Sequence, residues 1–114
     1  MRFPFYWGDW YEKDDCIIID VFDSPDWRSN LAIAFHELKE KFECDEKGIT
    51  VEAVEKWDTE HQDADDPGVL EGCPYRGPHI SAMGTEYQVV LSYGLTPEEH
   101  ERKYEEAFNN EKRS

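Results

Sequence analysis

Basic residues are scarce in this 114-residue chain: 12 Lys and Arg stand against 27 Asp and Glu, for a formal net charge of -15. A basic footprint is what holds bare nucleic acid or an anionic membrane, so both are excluded as direct partners. Cysteines are few, and Cys16, Cys44 and Cys73 lie 28 and 29 residues apart. That spacing offers neither a disulfide framework nor the close pairs of structural zinc. No apolar run approaches the roughly 18 residues of a membrane span. Arg2 precedes an aromatic stretch that Pro4, Gly8 and Asp9 interrupt, so no secretory leader is read, and a reducing cytoplasm is the expected setting. No G-x-S-x-G elbow, Walker loop or dinucleotide glycine loop occurs. Without repeats or a linker, residues 1–114 read as one domain with a frayed tail at 109–114.

What is present is an apolar fraction of 39%, with four Trp, six Tyr and six Phe, enough for a packed core. Residues 3–11 favour an edge strand. Residues 12–15 read as a polar turn, and Cys16 to Phe22 as a strand whose Ile run suits a central position in a sheet. Ser24 and Pro25 open a helix ending near Cys44, with Trp27, Leu31, Phe35, Leu38 and Phe42 forming an apolar stripe to pack on the sheet. Residues 51–62, capped by Thr50, lean to helix over strand. The proline- and glycine-rich stretch 63–78 is a loop. His79 to Met83 and Glu86 to Tyr93 read as strands joined by a Gly84-Thr85 turn. Thr96, Pro97 and Glu99 make a capping box for a last helix that faces Tyr104, Ala107 and Phe108 to the core. The expectation is an α+β fold: a small antiparallel sheet of about four strands with two or three helices on one face.

Motifs for chemistry are thin. Asp63, Asp65 and Gly68 fit an EF-hand register, but Pro74 falls where its closing Glu must be, so calcium is not expected. Cys73-Pro74-Tyr75-Arg76 resembles the dithiol motif of glutaredoxins with Arg replacing the second Cys. That motif needs a following helix, which Gly77-Pro78 is expected to block, so the resemblance is set aside. Nothing in the spacing of His61, Cys73 and His79 demands a zinc site, and His36, beside the apolar stripe of the first helix, reads as a helix-surface or boundary residue. No catalytic, cofactor or metal residue is assigned, and the chain is expected not to be an enzyme.

The acids themselves remain. Glu52, Glu55, Asp58, Glu60, Asp63, Asp65, Asp66 and Glu71 face one base, Lys56, across twenty residues, and Asp14 and Asp15 form a second acidic point. Carboxylates at helix or strand spacing match the scale of neighbouring phosphates. With Trp57 and Tyr75 as aromatic anchors, Trp7 and Trp10 as further candidates, and at least two of the four expected in the core, they suggest a surface for a cationic protein. In size and charge the chain is similar to DNA-mimic proteins and small phage-borne anti-defence proteins. The leading expectation is therefore an inhibitor that blocks the basic groove of a nucleic-acid-binding protein. An acidic immunity or adaptor protein masking a cationic partner comes second, and a small hydrolase or thiol enzyme using the loop at 58–79 third. The oligomeric state is not legible.

Overall fold

The computed structural model describes residues 7–113. Arg2 and the Phe3–Tyr6 part of the expected first strand lie outside the described residues. Strands β1 (Gly8–Lys13) and β2 (Cys16–Val21) pair antiparallel from Gly8↔Val21 to Lys13↔Cys16. Their two-residue turn is Asp14-Asp15, both at positive φ (51° and 64°). That backbone matches strand twist, and Asp is among the few side chains that tolerate it.

Helix α1 (Trp27–Glu46) follows, then α2 (Val51–Glu60), a short 3₁₀ turn at Pro67–Val69, α3 (Arg76–Ser92) and α4 (Pro97–Arg113). Asp26, rather than Ser24, caps α1, accepting the Arg28 backbone N–H at 3.0 Å. Ser24 supports this cap through hydrogen bonds to the Asp26 carbonyl and to Asn30. Gly48, at φ 71°, closes the helix two residues after Glu46. Thr50 caps α2 through the Ala53 N–H, and Thr96 caps α4 through the Glu99 N–H, as their sequence signals indicate.

The expected four-stranded sheet is not there among the described residues. These form an α+β fold with four α-helices and one two-stranded hairpin. β2 is an edge of that hairpin and not a central strand. The residues read as two strands, His79–Met83 and Glu86–Tyr93, belong to the single helix α3, with Tyr93 as its C-terminal cap. Pro78 does not block it, because it occupies the first turn, where a backbone N–H has no intrahelical acceptor. The β-branched Ile80, Val89 and Val90 suggested strands. The decisive pattern is instead His79, Ala82, Glu86 and Val90, a buried row at spacings of three and four.

Helix α1 is also turned opposite to expectation. Trp27, Phe35, Leu38 and Phe42 of its apolar stripe are exposed, while its buried face carries Ser29, Ala32, Ile33, His36, Glu37, Glu40, Lys41 and Cys44. This buried row packs on α3 and under the hairpin. Gly8 permits the close approach, since a Cβ there would sit 2.8 Å from Glu37 Cγ and from Ile33 Cγ2. One apolar cluster joins Trp10, Cys44, Val54, Cys73 and Tyr75, and another joins Ala32, Val90 and Leu95. Between them the interior is polar. No helix among the described residues is long and apolar enough to cross a membrane.

Gly84 distinguishes the helix from the hairpin. It lies exposed in mid-α3 with nothing near its missing Cβ. Gly84→Ala should stabilise the protein by about 0.5–1 kcal/mol in chemical denaturation, because it relieves a helix interior of glycine. A turn glycine at that position would give a loss instead.

Candidate metal centre

Three histidines and three carboxylates, all buried but half-exposed Asp66, form a connected chain across α1, α3, α4 and the 3₁₀ turn's leading edge. Ser29 hydroxyl meets His100 Nδ1 at 2.8 Å, and His100 Nε2 meets Glu86 Oε2 at 2.5 Å. The other Glu86 oxygen meets His36 Nδ1 at 2.7 Å. His36 Nε2 then lies 3.3 Å from both Glu40 Oε2 and His79 Nδ1, and His79 Nδ1 is 2.8 Å from the same Glu40 oxygen. His79 Nε2 meets Asp66 Oδ2 at 3.0 Å. Glu40, fully buried, takes the indole N–H of Trp10 on its second oxygen at 2.9 Å.

Ionised carboxylates only accept hydrogen bonds, so Glu86 and Asp66 fix a proton on His36 Nδ1 and on His79 Nε2. The remaining nitrogens, His36 Nε2 and His79 Nδ1, therefore point at one another and at Glu40. Two bare lone pairs at that separation repel, and the arrangement requires something positive between them. In the absence of a metal that is a proton. Burial acts to lower both imidazoles, but hydrogen bonds override it: Glu40 and Glu86 lift His36 to about 10, and Asp66 and Glu40 lift His79 to about 9. Burial likewise acts to raise Glu86, and the bonds from His100 and His36 bring it down to about 2.

The same three atoms suit a metal ion. His36, Glu40 and His79 each offer a ligand atom within 4.8 Å of the others, and this is the one such group among the described residues. Tetrahedral zinc with bonds of 2.0–2.1 Å sets its ligands about 3.3–3.4 Å apart. Two of the three separations match that edge, and the third is shorter by about half an ångström. Two His and one carboxylate with a further position open is the donor set of hydrolytic zinc and of non-haem iron sites. Glu86 and Asp66 stand behind the imidazoles as orienting carboxylates do in such centres. His36 and His79 floor a cleft of about 670 Å³ whose walls include Glu37, Asp65, Glu86, Glu101 and Glu105.

The residues singled out from the sequence divide. Glu52, Glu60, Asp63, Asp65, Glu71, Asp14 and Asp15 are exposed, and Glu55 is half-buried. Asp58 is buried and accepts the Tyr75 hydroxyl, so both belong to the interior. Trp57 is half-buried, donates its indole N–H to the Pro67 carbonyl at 2.8 Å and stacks on His61. Asp66 serves His79. The trio His61, Cys73 and His79 is not brought together, and His36, read as a helix-surface or boundary residue, lies at the centre. Its legible signal was the i, i+4 pair His36 and Glu40, which shares one helix face. Their meeting with His79, 39 residues further on, depends on α3 being a helix. Comparison with family models, curated proteins and solved structures gave no match.

Gly68 seats the His79 ring: a Cβ there would lie 2.5 Å from His79 Cγ. Gly68→Ala should push that ring from Glu40 and weaken metal binding about 10–100-fold, as loss of an orienting contact does elsewhere. Calorimetric titration with zinc checks this. Burial pushes the Cys73 thiol up to about 11, which disfavours its thiolate form. At pH 8, below that value, the thiol stays protonated. A thiol reagent should therefore label exposed Cys16 promptly and Cys73 only on unfolding.

Proposed function

We propose that this protein binds one divalent transition-metal ion of the zinc class through His36 Nε2, His79 Nδ1 and a Glu40 oxygen, with a further coordination position facing the cleft. The observation that carries the reading is the convergence of two imidazole nitrogens on one buried carboxylate oxygen, each imidazole backed by a second carboxylate. Such an ion brings the pKa of a bound water to about 7, which is the basis of hydrolysis at neutral pH. Glu37, whose carboxylate is 3.8 Å from His36 Nε2, borders the cleft where it would accept a proton from that water. The acidic walls favour a neutral or cationic substrate over a phosphorylated one.

The test is zinc titration of metal-stripped protein. One equivalent should bind, and free zinc at a hundred times its dissociation constant should add about 2.7 kcal/mol to stability. His36→Ala and His79→Ala should each abolish saturable binding. A wild-type chain that takes up neither zinc, iron(II) nor manganese(II) would overturn the reading.

A second reading rests on the outward acids. Glu52 and Glu60 on α2, with Asp63, Asp65 and Glu71 beyond it, stand in solvent in a chain of net charge -15. They support docking onto a basic protein, in a cytoplasmic setting, whether by imitating nucleic acid or by masking a cationic surface. A lysate pulldown eluted with salt should recover such a partner. Competition by DNA would indicate mimicry, indifference to DNA would indicate masking, and no salt-sensitive partner would count against both.

A further inference from the structure

From Trp27 to Phe42 the outer face of α1 is an apolar stripe, flanked by Arg28 and Lys39. Trp27 is 59% exposed, Phe35 45% and Phe42 52%, with Leu38 between the last two. Helix α3 lies beside it. Ser81 on α3 bonds Glu43 on α1 at 2.9 Å, and at the opposite ends Arg28 bonds the Tyr93 carbonyl while the Trp27 and Tyr93 rings meet at 5.0 Å. The four half-exposed rings of Trp27, Phe35, Phe42 and Tyr93 leave about 400 Å² of aromatic surface in water. With Leu38 added, the patch lies in the range of the largest apolar patch on a typical monomer, which is often functional.

We infer that this face is the interface of a homodimer, α1 packing on α1 of a second copy about a two-fold axis near Phe35 and Leu38. The patch supplies more than half of the roughly 800 Å² that each partner contributes to a stable complex. Charge selects the occupant. A basic partner is drawn to the exposed acids on and beyond α2, whereas a second copy covers the apolar stripe without needing them. Lys39 and Glu43 pair at 2.6 Å within one chain, along the edge of the stripe, so neither adds an uncompensated charge to the contact. An isologous contact of this kind closes at two subunits.

Sedimentation equilibrium from low to high micromolar concentration tests this. The wild-type chain should approach twice its 13.4 kDa mass. Phe35→Glu, an exposed position, should keep the helical circular dichroism and weaken association by about 30-fold or more. In a Cys16→Ser background, Leu38→Cys should give a covalent dimer on mild oxidation, which tests the axis without adding charge. A wild-type chain that stays monomeric throughout would overturn the proposal, as would a dimer unaffected by Phe35→Glu and not cross-linked through Leu38→Cys.

Discussion

A buried carboxylate must be hydrogen-bonded or bound to a cation, because leaving one unpaired in a protein interior costs several kcal/mol. Here Glu40, Glu86 and three histidines lie inside, and the placement of the other elements answers to them. Helix α1 turns its His36, Glu37 and Glu40 row inward. Helix α3 presents His79 and Glu86 to that row, α4 delivers His100, and the hairpin lays Trp10 over Glu40. The consequence appears on the opposite side of α1. A helix can bury only one face, and when that face is polar its aromatic stripe stays outside.

The outer supports are as specific as the ligands. Asp66 reaches His79 from the edge of the 3₁₀ turn, whose Gly68 leaves space for the ring. Tyr75 and Asp58 tie α2 to the start of α3, which holds the loop between them against the site. Lys41, buried on α1, reaches Glu12 at 2.7 Å and Asp45. That contact anchors the hairpin over the end of the helix where the site lies. Part of the acidity that dominates the composition is thus internal chemistry.

Local signals were legible and long-range ones were not. The Asp14-Asp15 turn, the Thr50 and Thr96 caps and the glycine after α1 can be read because each acts within a few residues. Helix α3 was hidden by β-branched residues and by a Gly-Thr pair that mimics a turn. Its identity rests on the row His79, Ala82, Glu86 and Val90, half of which is polar and so invisible to a search for apolar periodicity. The stripe of Trp27 to Phe42 was correctly read as a helix face but assigned to the core, since apolar surface is usually buried. The centre itself joins residues up to 64 positions apart, from His36 to His100, and no local pattern carries that information.

The proposed metal occupies one point in space, between His36 Nε2, His79 Nδ1 and Glu40 Oε2. An anomalous difference map from a crystal of the zinc-loaded protein, measured at the zinc edge, reports that point directly. A single strong peak is expected within bonding distance, about 2.0–2.2 Å, of all three atoms. A map without a peak there, or with zinc held instead by His61 or the cysteines, would contradict the proposed site.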